Sequence, residues 1–111
     1  MDNLHVKYKA CVDACLRAYA ASSYCAASCL KEEHLHHMRN CIQLDMECST
    51  ICKAMAELLS MQSPFVFSLL PLCAEICESC AMECEKHEHD HCKECATLCR
   101  HCAEECRILL S

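Results

Sequence analysis

The sequence predicts an all-α protein, an antiparallel up-down four-helix bundle with a cysteine-lined core. Three observations carry that expectation. Glycine is absent from the 111 residues and proline occurs only twice, which favours long helices over hairpins. Cysteines recur at spacings of three and four, the repeat of one helix face. Three short breaks divide the chain into four amphipathic stretches, and short connections make successive helices antiparallel neighbours. A chain of this length forms a single domain, residues 1–111.

The first helix is expected over about Asn3 to Lys31. Leu4, Tyr8, Cys11, Cys15, Ala18, Ser22, Cys25 and Cys29 share one face. Lys31 to His37 reads as a polar turn, and the second helix as about His34 to Ser60. Its inward stripe is Met38, Cys41, Cys48, Cys52, Met55 and Leu59. Between Cys41 and Cys48 either Leu44 or Asp45 must face the core, and the periodicity does not choose. Asp45 inward would be a buried carboxylate in need of partners. Ser63 as N-cap and Pro64 in the first turn mark a third helix, about Pro64 to Lys86. Pro71 is expected to kink it or to delay its regular part until Leu72. His87-Glu88-His89-Asp90 is a second polar turn, and Asp90 the candidate N-cap of a fourth helix, about His91 to Leu110. Cys92, Cys95, Cys99, Cys102, Cys106 and Leu109 form its stripe.

The up-down topology places the two histidine-rich turns, His34–His37 and His87–His91, at one end. The Ser60–Phe65 turn and both termini lie at the other. The cysteines then occupy roughly the first 20 residues of each helix from the histidine end, about 30 Å. Beyond them the sequence is apolar: Leu4, Val6, Leu58, Leu59, Met61, Phe65, Phe67, Leu69, Leu70, Ile108 and Leu109. The expectation is a thiol-lined tube, closed by hydrocarbon at one end and rimmed by histidine at the other.

The strongest local signal is Cys73-Ala-x-x-Cys77-x-x-Cys80-Ala-x-Glu-Cys84. It recurs 22 residues later as Cys95-Ala-x-x-Cys99-x-x-Cys102-Ala-x-Glu-Cys106. Seven C-x-x-x-C pairs account for fourteen of the sixteen cysteines: Cys11/Cys15, Cys25/Cys29, Cys48/Cys52, Cys73/Cys77, Cys80/Cys84, Cys95/Cys99 and Cys102/Cys106. Cys41 and Cys92 remain, both near the histidine end. A secreted disulfide scaffold would be loop-rich, with scattered cysteines. Thiols at i and i+4 of a helix have nearly parallel Cα–Cβ vectors, which suits a disulfide badly. It suits two ligands reaching for one ion. One or two thiols on a helix stripe are ordinary core. Sixteen are not, because Leu and Ile would pack better and resist oxidation.

Thiolate is a soft ligand that selects Cu(I), Zn or iron–sulfur clusters. Zinc takes four ligands in a tetrahedron, commonly from loops that wrap it. Iron–sulfur clusters use C-x-x-C loops. Cu(I) accepts two thiolates, which a single i,i+4 pair can supply from a rigid helix. No enzyme constellation is present, since no one cysteine is distinguished from the other fifteen.

The formal charge of -6 excludes a basic nucleic-acid-binding face. No apolar run approaches the roughly 20 residues of a membrane span. Met1-Asp2-Asn3-Leu4-His5 lacks the basic and apolar regions of a signal peptide, so export is not expected.

Cys41-Ile-Gln-Leu-Asp45-x-x-Cys48-x-x-Ile-Cys52, the two twelve-residue cysteine repeats, Glu85-Lys86-His87 and His91-Cys92 together resemble the copper storage proteins, cysteine-rich four-helix bundles. The resemblance covers essentially the whole chain. It implies many Cu(I) ions held by cysteine thiolates inside the bundle, assembly as a homotetramer, and a cytosolic branch. Ala18, Ser22 and Leu44 or Asp45 interrupt the thiol stripe. His34, His36, His37, His87, His89 and His91 are either residues of solvated turns or an entry funnel. In the funnel, imidazoles with Met38 and Met82 pass Cu(I) inward. His101 lies off the stripe and is expected to be exposed, and His5 lies at the apolar end. The expected function is cytosolic Cu(I) storage without catalysis. The alternative is a metallothionein-like zinc or mixed-metal thiolate buffer. Copper ions are the expected partners and a copper chaperone the candidate donor, with no nucleic acid or membrane.

Overall fold

The structure is a computed structural model, and it describes residues 3–111. Four helices follow one another: α1 (Asn3–Cys29), α2 (Arg39–Ser60), α3 (Val66–Cys84) and α4 (Asp90–Leu110). A single 3-10 turn, Leu35–Met38, precedes α2, and no strand occurs among the described residues. α1 packs on α2 and α4, and α3 packs on α4 and α2, the square arrangement of an up-down bundle. The rod measures 52 × 21 × 20 Å. No described helix is long and apolar enough to cross a membrane.

Four differences between the observed and the expected helix boundaries have a local reason. α1 stops at Cys29, where tight bonds from Lys31 N–H to Ser28 O (3.0 Å) and Glu32 N–H to Cys29 O (3.2 Å) take over. Residues 35–38, expected inside the second helix, form the 3-10 turn, begun by His37 N–H donating to His34 O (3.0 Å). Ser63 does not cap α3. Its Oγ accepts from Phe65 N–H (3.1 Å) in a local turn, Pro64 lies before the helix, and α3 begins at Val66. Pro71 therefore sits inside a helix already formed and does not delay it. Asp90 is the first helical residue of α4 rather than its cap, with His89 in the extended flanking position. Its carboxylate then lies at the positive end of the helix dipole.

The α2–α3 connection shows how a chain without glycine reverses. Gln62 N–H donates to Leu59 O (3.0 Å) and Ser63 N–H to Leu58 O (3.0 Å), a Schellman closure. That motif needs a left-handed residue, and Gln62 takes it with φ 55°. A side chain with a Cβ in this region costs about 1 kcal/mol or more.

The hydrocarbon closure is narrower than the sequence suggests. Tyr8, Met55, Leu59, Val66, Leu70 and Leu109 are buried there, with Leu58 and Leu69 half-buried beside them. Leu4, Val6, Met61, Phe65, Phe67 and Ile108, all expected in the plug, are exposed. Each helix turns only one residue in about 3.6 toward the axis. A run of apolar residues therefore spills onto the outer face.

Candidate metal centre

The inward stripe of each helix delivers its sulfurs to one axis. All sixteen cysteines are at most 1% exposed, and none is in a disulfide. Along the axis the thiols form a ladder. Near the closed end Cys11 faces Cys106 (3.9 Å) and Cys15 faces Cys102 (3.6 Å). In the middle Cys52 lies 3.4 Å from Cys77, and Cys48 lies 3.8 Å from Cys77 and 3.5 Å from Cys99. Toward the open end Cys41 meets Cys84 (3.6 Å), and Cys25 meets Cys92 (3.8 Å) and Cys29 (3.8 Å). These are contacts of separate thiols, since a disulfide would bring the sulfurs to about 2.05 Å.

The sulfurs fall into overlapping sets whose atoms lie within 4.8 Å of one another: Cys15/Cys73/Cys102/Cys106, Cys52/Cys73/Cys77/Cys102, Cys48/Cys80/Cys99 and Cys25/Cys29/Cys41/Cys92. Cys73 and Cys102 each belong to two sets. Neighbouring ions would have to share those sulfurs, which is the bridging habit of a soft monovalent ion on thiolate. Isolated tetrahedral sites need four ligands apiece.

Asp45, not Leu44, faces the axis, fully buried. Its Oδ1 accepts from the thiols of Cys80 (3.3 Å), Cys95 (3.4 Å) and Cys84 (3.7 Å), and its Oδ2 from Cys41 (3.8 Å). Four thiol donors thus replace the water a carboxylate would otherwise hold. They do not replace it fully. Burial pushes the Asp45 carboxyl up to about 6. One further set, Cys25/Asp45/Cys84/Cys95, mixes its oxygen with three sulfurs. Burial also pushes Cys29 up, and raises Cys92 to about 12. A proton must therefore leave when a cation takes these sulfurs.

The gap in the α1 stripe is filled by small groups. Ala18 and Ser22 are fully buried. The Ser22 hydroxyl turns aside, donating to Ala18 O (2.7 Å) and pairing with Ser49 Oγ (2.8 Å) between α1 and α2. It ties two helices together and contributes no ligand to the axis.

The topology gathers both histidine turns at one mouth, but the six rings are not equivalent. His34, His37, His87 and His89, with Met38, Glu32 and Glu33, line a cavity of about 250 Å³ there. His36 packs on His37 (ring centres 4.1 Å apart) and does not line it. His87 Nε2 is held by Glu83 (3.0 Å). His91 alone reaches the sulfurs: its Nδ1 lies 3.4 Å from Cys25, 3.5 Å from Cys92 and 3.9 Å from Cys29. Met82, expected to share the mouth with Met38, is 59% exposed and does not line the cavity. His101 is exposed as expected, near Glu104. Sequence reasoning missed Glu32, which touches His89 (3.4 Å) and His91 (2.7 Å). A surface depression of about 530 Å³ along the outer side of α4 is lined by residues such as Glu85, Arg100 and His101 and holds no sulfur.

Comparison with known proteins agrees with this geometry. A family model described as copper storage protein matches residues 4–111. A Bacillus subtilis (strain 168) relative, named uncharacterized cysteine-rich protein YhjQ, is 46% identical over 85 residues, covering 77% of this chain and 79% of that protein. The structure of the Cu(I)-bound copper storage protein BsCsp3 superposes with a TM-score of 0.91 at 43% identity, covering 95% of this chain and 99% of that one. A cytosolic copper storage protein from Streptomyces lividans, carrying five coppers, superposes with a TM-score of 0.92 at 34% identity, covering 96% and 94%. The chain belongs to the copper storage protein family.

Proposed function

We propose that this protein stores Cu(I) in the thiol tube of each bundle, on Cys11, Cys15, Cys25, Cys29, Cys41, Cys48, Cys52, Cys73, Cys77, Cys80, Cys84, Cys92, Cys95, Cys99, Cys102 and Cys106. The observation that carries the reading is sixteen buried, unoxidised thiols, fifteen of them gathered in sets, some of which share sulfurs. The Cu(I)-bound and copper-loaded relatives support it. The protein's own work is sequestration: it strips water from the ion, supplies soft ligands and excludes oxidants. No catalytic step is part of the reading.

His34, His36, His37, His87, His89 and His91 form the entry side. Imidazole holds Cu(I) less tightly than thiolate, so ions pass down a gradient of affinity to the sulfurs. The closed end offers only hydrocarbon, and entry by that route would leave the ion without ligands. The store is cytosolic, consistent with the reduced state that free thiols require. A copper chaperone is the expected donor at the mouth. Exposed Leu16 and Tyr24 on the outer face of α1, with half-buried Tyr19, support assembly as a homotetramer.

Anaerobic titration of reduced protein with Cu(I) and elemental analysis tests the function. Roughly 10–20 ions per chain are expected, because each soft ion takes about two shared thiolates. Saturation at about four or fewer would overturn it. The zinc-buffer reading draws on the sulfur separations, which also suit the edges of a tetrahedron around an ion about 2.3 Å from each sulfur. It predicts zinc retention when Cu(I) is offered in competition.

A further inference from the structure

We propose that Glu32 is a positioning residue for copper uptake: it holds His91 so that Nδ1 is presented to the outermost thiol set. This deepens the storage reading and rests on it. Glu32 lies in the turn after α1, and His91 in the first turn of α4, 59 residues away in sequence. Glu32 Oε2 is 2.7 Å from His91 Nε2. A carboxylate oxygen can only accept, so across this 2.7 Å contact the His91 ring is the donor. Nε2 must then carry the proton. In the neutral ring the lone pair is left on Nδ1, the atom that lies 3.4 Å from Cys25, 3.5 Å from Cys92 and 3.9 Å from Cys29.

The pair forms a carboxylate–imidazole–metal relay in which the outer carboxylate sets tautomer and ring angle. Without Glu32, Nδ1 and Nε2 would compete for the proton, and rotation about the side chain would turn the ring toward solvent. The ring is also stacked on His89, 5.3 Å away with planes 4° apart, and Glu32 Oε2 touches His89 Nδ1 (3.4 Å). One carboxylate thus fixes both rings of the α4 start. His87 is gripped separately by Glu83 at the end of α3. Three imidazoles of the mouth, His87, His89 and His91, are thus anchored by carboxylates, and of these His91 reaches sulfur.

The test compares wild type, Glu32→Ala, Glu32→Gln, His91→Ala and the Glu32→Ala/His91→Ala double variant. Two readouts are taken. The first is the His91 ring nitrogen shifts by NMR in reduced, metal-free protein. The second is transfer of the last-bound Cu(I) equivalents to a chromogenic chelator under anaerobic conditions. Wild type should show the Nε2-protonated tautomer, and Glu32→Ala a mixture. Glu32→Ala should release those ions ~10-fold more readily, the usual cost of losing an outer partner of a ligand. Glu32→Gln, whose side-chain oxygen still accepts from Nε2–H, should restore most of both. The double variant should be no worse than His91→Ala alone. Unchanged His91 shifts in Glu32→Ala, or additive losses in the double variant, would overturn the proposal. A wild type that binds few ions in total would sink the storage reading instead, and the tautomer result would still stand by itself.

Discussion

Replacing Asp45 by Asn should flatten the pH dependence of the metal-free protein's stability. Asp45 is fully buried, and four thiols solvate its carboxylate. Folding raises its pKa from the ordinary 3.8 to about 6, chiefly through burial. Between those two values the folded state binds more protons than the unfolded one, so stability falls as pH rises. The cost is absent below the lower value and complete above the higher one, where it reaches ~3 kcal/mol. Asn carries no charge at any pH, and the other titrating groups are common to both proteins. Asn fits the site in its own way, but that contribution does not change with pH. The stability of Asp45→Asn relative to wild type should therefore improve by ~2 kcal/mol or more between about pH 4 and about pH 7.5. The assay is urea unfolding of reduced, metal-free protein across this range, followed by far-ultraviolet circular dichroism. Its premise is a helical apo protein, expected because thiols pack as hydrophobes and a hydrocarbon core closes one end. Parallel stability curves for the two proteins would refute the buried-charge account. A random-coil spectrum for the metal-free wild type would refute the premise.

Three further outcomes are expected. A variant with His34, His36, His37, His87, His89 and His91 all replaced by Asn should load from a chromogenic Cu(I) complex more slowly, with final capacity nearly unchanged. Wild-type rates would make these residues ordinary turn polar groups, and a proportional loss of capacity would make them storage ligands. Cys102→Ala should lower Cu(I) capacity by more than one ion, because Cys102 serves two sulfur sets, and elemental analysis at saturation checks this. Light scattering at micromolar concentration should give the mass of a tetramer, with a monomer mass removing the assembly proposal.

The cysteine spacing by itself determined the architecture and the chemistry. Spacings of three and four leave a residue no choice of face, so every cysteine could be assigned to the axis before any contact was known, and all sixteen lie there. The same rule fails at α2, where Cys41 and Cys48 are seven apart. At about 100° per residue, Leu44 and Asp45 stand about 50° to either side of the stripe's centre. Hydropathy would favour Leu44 inward, but the bundle turns Asp45 in, because thiols from α2, α3 and α4 converge on it. The hydrocarbon closure was overdrawn for a related reason. Apolar composition near a helix end does not say which side chains point inward, and Phe65, Phe67 and Ile108 point out. The mouth was legible only as a place. Antiparallel topology brings the two histidine turns together, yet which ring reaches sulfur depends on the tight turn after Cys29 and on where α4 starts. Glu32 carried no signal at all. Its partner lies 59 residues away, and a carboxylate in a polar turn looks solvated until the fold sets an imidazole against it. Local periodicity fixes faces, whereas contacts between distant segments are decided only when the helices dock.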